Sequence, residues 1–414
     1  MANYQLKGLV HRPNRTPRVR RSRLALYTGA LFGLIACSEQ PDGSVKDQQV
    51  NQRYRTRQVN LNIDPLQDLV NAQSRQGIVL AHALRLAIEQ FLQNPDETQQ
   101  AKVQTAWLNA HSAYAALSSL PLPALLALDS DITLATNKLQ YQIDAWPIEP
   151  GYLDSLPAYP GSGIISDITV PMTAESLQRQ HGFTDVQEVS IGFHALEYLI
   201  FARERSDFQL LDSGPHPMKS PMNSDSRGTL NNELKSEVIA RRRDALRVIA
   251  EQITLDLASL LAINEAGYVS VDGDTKEGEK RVNVGLVLSA VKHLRQVALQ
   301  AIEDNQHLIT ADIGHGDYSA SGQQLLAAKL ESLRLTLFHP TNLTVLVAAD
   351  EAGTLDALRD TLQEAQSNAG SETITAVDQA RLTFLLAALP HLLDDLGRLI
   401  GQPTQALQTS EGAI

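Results

Sequence analysis

The stretch Val103-Gln104-Thr105-Ala106-Trp107-Leu108-Asn109-Ala110-His111-Ser112-Ala113-Tyr114-Ala115-Ala116-Leu117 decides the fold class. Val103, Trp107, Ala110, Tyr114 and Leu117 recur at spacings of 4, 3, 4 and 3, which lines them up on one face of an α-helix. The rhythm returns at Leu80, Leu84, Ala87 and Phe91, at Leu246, Ile249, Ile253, Leu257 and Leu260, and at Val287, Val291, Leu294, Ala298 and Ala301. It appears again at Leu326, Leu330, Leu333 and Leu337, and at Leu385, Leu389, Leu392, Leu396 and Leu399. No run of strict alternation competes with it, so the sequence predicts an all-α protein. Pro390, inside the last stripe, should kink or break its helix.

Composition narrows the chemistry. The chain has 414 residues, 35 Lys and Arg against 47 Asp and Glu, a net charge of -12, 43% hydrophobic residues and one cysteine. Such a length suggests two domains or three, each large enough to bury its own core. The acidic balance argues against a nucleic-acid partner. One cysteine builds neither a disulfide, a thiolate zinc site nor an iron–sulfur cluster, so any metal has to be held by histidines and carboxylates.

The charge is unevenly placed. Lys7, Arg12, Arg15, Arg18, Arg20, Arg21 and Arg23 all precede the first acidic residue, Glu39, and the 13 residues Leu24 to Ala36 carry no charge. At about 1.5 Å per residue that run reaches about 20 Å, short of a hydrocarbon core of about 30 Å, so it reads as a secretory signal. Leu34-Ile35-Ala36-Cys37 resembles a bacterial lipobox, which implies cleavage before Cys37 and its acylation. The expected order is a signal peptide over 1–36 and a flexible tether over 37–60, then an N-terminal helical bundle over 61–205. A Pro/Gly-rich linker over 206–235 and a C-terminal bundle over 236–405 complete it. Arg241-Arg242-Arg243, at the start of a helix, should form surface ion pairs.

The segment Val186 to Phe201 carries the chemistry. Val186, Val189, Phe193, Leu196 and Ile200 form a stripe at spacings 3, 4, 3 and 4, with Ile191, Tyr198 and Phe201 covering much of the opposite side. That predicts a buried helix with Gly192 in its interior, where glycine costs about 1 kcal/mol relative to Ala and suggests a close neighbour. His194 and Glu197, three residues apart, would be costly there unless paired with each other or with a metal. A plain hydrogen-bonded pair and a metal site are both open on the residues alone.

Gly192-Phe193-His194-Ala195-Leu196-Glu197 resembles the Gly-x-His-x-x-Glu hallmark of the imelysin family. The resemblance continues at Ala106-Trp107 with Tyr114, and at Ile143-Asp144-Ala145-Trp146-Pro147-Ile148-Glu149-Pro150-Gly151-Tyr152. It implies two helical bundles packed side by side with a functional cleft between them, a bacterial cell-envelope location and a link to iron uptake. Two places depart from the family pattern. His111 stands where an Arg is expected, three residues before Tyr114, and the acidic, serine-rich motif of the second domain is represented at best by Gly316-Asp317-Tyr318-Ser319.

The expected site is therefore His194 and Glu197 on a metal, iron first and zinc as the other candidate, supported by Gly192, Trp146 and Pro147. His111 and Asp317 are additional candidate ligands, with a surface position as the bland reading of each. The expected setting is a periplasm-facing lipoprotein, held to a membrane through Cys37 and working with envelope iron-uptake proteins. A metallopeptidase is the alternative, since some members of the family were named so. Neither His-Glu-x-x-His nor His-x-x-Glu-His occurs here, however, and further ligands would have to come from residues such as His315, Asp317 or His339. Noncovalent haem on His194 and a non-catalytic partner-binding lipoprotein are the remaining readings.

Overall fold

The computed structural model describes residues 58–401 except 62, 127–129, 157, 160, 211–225, 266–280, 311–317, 339–346, 348–351 and 372–373. The expected signal segment, the expected tether up to residue 57, Cys37, His315, Asp317 and His339 lie outside the described residues.

The chain folds into helices, as the periodicity requires. The first half carries α1 (Asp64–Gln93), α2 (Glu97–Ser118), α3 (Pro123–Leu126), α4 (Ser130–Asp144), α5 (Pro150–Leu153), α6 (Ala174–Gln180) and α7 (Phe193–Phe201). A 3-10 turn at Arg205–Phe208 and the long α8 (Ser226–Asn264) follow. The second half carries α9 (Val284–Thr310), α10 (Gly322–Phe338), α11 (Ala352–Ala369) and α12 (Ala376–Gly401). Among the described residues the sheet content is one antiparallel ladder, β1 (Gln58–Asn60) on β2 (Arg281–Asn283), with Val59 opposite Val282. Among the described residues no helix is long and apolar enough to cross a membrane.

α1 buries Leu66, Val70, Ser74, Gly77, Ala81, Leu84, Ile88 and Phe91 at helical spacing and packs along α2 and α8. Asp96 caps α2 by accepting from the Gln99 amide at 2.8 Å, a contact worth about 1 kcal/mol. α2 buries more than one face because α1, α7 and α10 all pack on it. Each fully buried Leu or Trp in this core, such as Leu84 or Trp107, contributes about 2 kcal/mol. α9 to α12 form the second bundle, and Ser332 of α10 donates to the Ala116 carbonyl of α2 at 2.8 Å where the halves meet.

Four sequence expectations change. α8 packs with the first half, not the second. Its Leu257 sits against Gly77, and Arg75–Glu265, Arg85–Glu251 and Glu89–Arg247 pair down the two helices in antiparallel order. α8 also begins at Ser226, inside the expected 206–235 linker, so the step from the first bundle to the second falls between Asn264 and Arg281.

The arginine run is not a surface feature. Arg241 is buried and donates to the carbonyls of Ile164, Ile165, Asp167 and Val170. Arg242 forms a two-pronged bond to Asp154, which is wholly buried and also meets Arg203 at 3.1 Å. Burial alone would push the Arg242 guanidinium down, and the Asp154 bond and charge outweigh it and raise it. These arginines bind the irregular segment after α5 to α8.

The third change is at α7, which starts only at Phe193. The preceding residues are turns, with Thr184 and Asp185 amides bonded to Glu188, and Val186 is exposed. The fourth is that α12 runs unbroken through the buried Pro390.

Candidate metal centre

Gly192 explains how the centre is assembled. It is the N-cap of α7, with φ +91° and ψ -177°, a backbone conformation open in practice to glycine alone. A Cβ there would lie 2.5 Å from the Gln142 carbonyl oxygen and 2.7 Å from that of Ile143. The close neighbour inferred from the sequence is thus the last turn of α4, and the glycine caps α7 where an interior position was expected. This approach brings Asp144, the final residue of α4, to His194 in the first turn of α7. Trp107 fixes the same turn from α2 by donating Nε1 to the Phe193 carbonyl at 2.9 Å.

Three ligand-type side chains converge. His111 Nε2 lies 2.7 Å from Asp144 Oδ1, and His194 Nε2 lies 3.3 Å from the same oxygen. One donor atom from each of the three falls within 4.8 Å of the others. Both imidazoles are fully buried, whereas the Asp144 side chain keeps 16% of its exposure. Phe193 stacks on His111 with ring centres 4.8 Å apart, and Trp146 packs on His194 at 4.7 Å.

Glu197 stands behind this group. Its Oε2 lies 2.7 Å from His194 Nδ1, on the ring edge away from Asp144, and its Oε1 accepts from the Ser319 amide at 2.9 Å and the Ser319 hydroxyl at 2.6 Å. The sequence had His194 and Glu197 sharing one cation. The structure instead puts the carboxylate on the imidazole's second nitrogen, the arrangement that orients a ligating histidine. Burial pushes the His194 imidazole down, but the hydrogen bonds and charges of Asp144 and Glu197 outweigh it and lift it to about 9. Burial likewise pushes Glu197 up, and the bond and charge of His194, with the Ser319 bond, bring it below the ordinary carboxylate range.

Two imidazoles and one carboxylate on one side suit iron, and also zinc or another divalent first-row metal. Asp144, Trp146 and Tyr114 also line a cavity of about 780 Å³ between α4 and α9. Burial first, then the charges of Asp144 and Asp256, holds the Tyr114 hydroxyl well above its ordinary value.

The imelysin peptidase-family model matches residues 78–411. The chain belongs to the imelysin family.

Among solved structures, an iron-regulated protein A precursor from Parabacteroides distasonis is 11% identical over 81% of this chain and 95% of its own, with a TM-score of 0.50. An imelysin-like protein from Psychrobacter arcticum is 15% identical over 87% of this chain and 95% of its own, with a TM-score of 0.44. No curated protein matches. The first likeness shows a shared fold.

In this imelysin-family chain the structure brings together His194, His111, Glu197, Gly192 and Trp146. Pro147 follows Trp146 through a cis peptide bond and is exposed at the edge of the group. Asp144 was quoted in the sequence only as part of the Ile143–Tyr152 resemblance, not as a ligand. One signal could have singled it out. A carboxylate at the C-terminal end of a helix opposes the helix dipole and calls for a cationic partner. Ser319, at the end of Gly316-Asp317-Tyr318-Ser319, carries no sign in the sequence of its bond to Glu197.

Proposed function

We propose that this imelysin-family protein binds a metal ion, iron in the first place, through His111, Asp144 and His194. The observation that carries the reading is the convergence of two buried imidazole nitrogens on the Asp144 carboxylate, with Glu197 and Ser319 orienting His194 from behind. The donors fit the group. A bound cation would stand where Asp144 now meets both rings, and it would supply a Lewis-acidic or redox-active centre. The Parabacteroides structure, which shares the fold, is described as an iron-regulated protein, and that supports placing iron first among the metals.

The lipobox at Cys37 supports the rest of the reading: an exported lipoprotein of the bacterial cell envelope, facing the periplasm, that supports iron uptake. The peptidase reading needs a carboxylate placed to take a proton from water. Glu197 instead bonds His194 with one oxygen and Ser319 with the other, which favours an orienting role.

Elemental analysis of the purified mature protein tests the proposal. Wild type should carry close to one metal per chain, and His194→Ala and Asp144→Asn should each lose most of it. Equal metal content in all three samples sinks it.

A further inference from the structure

The cavity beside Asp144 is far larger than an ion needs, and its size is that of a small-molecule pocket. Its walls are two facing polar helix stripes. α4 contributes Asn137 and Gln140, and α9 contributes Gln296 and Gln300, all at helical spacing along the cavity. Asn137, Gln296 and Gln300 are exposed along it and Gln140 is half-buried. Here no hydrogen bond within the described chain engages any of the four carboxamides. They can both donate and accept toward an occupant.

The charge of the walls selects among occupants. Glu303 and Asp304 of α9 face the cavity that Asp144 borders from the other side, and the Lys329 ammonium is engaged by Asp304 at 2.6 Å. The excess is negative, which repels polyanions and admits neutral or cationic molecules. Of the common oxygen-donor iron chelators, carboxylates and catecholates give anionic ferric complexes, whereas hydroxamates, each losing one proton, give a neutral one. Hydroxamates also keep polar C=O and N–O groups that carboxamides can bond.

We infer that the cavity receives iron as its neutral complex with a hydroxamate-type chelator, held by the Asn137, Gln140, Gln296 and Gln300 carboxamides beside Asp144. The inference rests on the metal reading above and adds the form in which the metal arrives.

Three probes on the full mature chain separate the two claims: ferrous iron alone under anaerobic conditions, ferric acetohydroxamate and ferric citrate. Each is titrated by calorimetry and by quenching of Trp146, which lines the cavity. The acetohydroxamate complex should bind more tightly than the citrate complex by about tenfold or more. The double variant Asn137→Leu with Gln300→Leu removes exposed side chains that hold no other part of the fold. It should weaken acetohydroxamate-complex binding about tenfold and leave ferrous iron unchanged. Glu303→Gln should raise affinity for the citrate complex. Citrate binding equal to or better than acetohydroxamate, or a double variant that keeps wild-type binding or loses both probes alike, overturns the inference. Ferrous iron that binds while the acetohydroxamate complex does not overturns it and spares the metal reading. If ferrous iron also fails to bind, both fall.

Discussion

Gly192→Ala should damage the protein twice over. The residue sits at φ +91°, ψ -177°, so any L side chain adds backbone strain of about 1–3 kcal/mol. The new methyl would also lie 2.5 and 2.7 Å from two carbonyl oxygens of α4, both of them backbone, so relief requires moving a helix end. Overpacking of that kind costs about 1–3 kcal/mol more. A combined loss of about 4 kcal/mol is a large part of a stability of about 5–15 kcal/mol, and it should lower the melting temperature by roughly 10 °C. The helix end that must move is the one carrying Asp144, so metal affinity should fall by about 10- to 100-fold even in molecules that remain folded. Thermal unfolding followed by circular dichroism reads the first effect, and competition with a chelating dye at a temperature where the variant is folded reads the second. Gly77→Ala is the control: that glycine lies inside α1, its new methyl would touch only Leu257 at 3.9 Å, and stability should hold or rise by about 1 kcal/mol. A Gly192→Ala protein with wild-type melting temperature and metal affinity would refute the account of how the centre is assembled.

Ser319→Ala removes the 2.6 Å bond to Glu197 while leaving the backbone donor, and dye competition should show a fall in metal affinity of about tenfold with only a small change in melting temperature. Arg242→Ala leaves the fully buried Asp154 carboxylate with Arg203 as its remaining guanidinium partner, and urea titration should report a loss of about 3–5 kcal/mol. Asp256, 5% exposed on α8, is raised to about 6 by burial, against an opposing bond from Gln252. The folded state therefore holds the proton more tightly than the unfolded chain, and wild-type stability should fall as pH rises from about 4 through about 6 and stay lowered above that. Asp256→Asn should flatten this fall and exceed wild type at pH 8 by up to about 3 kcal/mol, with no such gain at pH 4; identical urea midpoints at both pH values for the two proteins would contradict it.

The helices were legible because their stripes are local: Trp107 and Tyr114 mark the buried face of α2 whatever packs on it. The same reasoning failed at Val186 and Val189, whose spacing continues the α7 stripe while the chain there is held in turns by Glu188. Periodicity cannot see a glycine forced to positive φ by a carbonyl from another helix. Of the centre, His194, Glu197 and His111 could be named from the sequence, and His111 shares the face of Trp107 one turn away. Asp144 could not be given its role, because its meeting with His194 depends on the approach of α4 to Gly192. The buried arginines stayed hidden for a related reason. Arg241 bonds backbone carbonyls more than 70 positions away, and carbonyls carry no side-chain signature in a sequence.

The bond from Ser319 to Glu197 has an implication for dividing the molecule. His111, Asp144, His194 and Glu197 all belong to the part of the chain that ends with α8, while Ser319 arrives from beyond α9. A polypeptide cut between Asn264 and Arg281 would keep every donor atom in one piece and the clamp on their orientation in the other. Metal affinity of the longer-lived piece would then rise when its counterpart is added back, turning the ion into a reporter of reassembly. A cut in the 206–235 stretch would give no such clean reporter, because it would strip α8 from the helices that carry the donors.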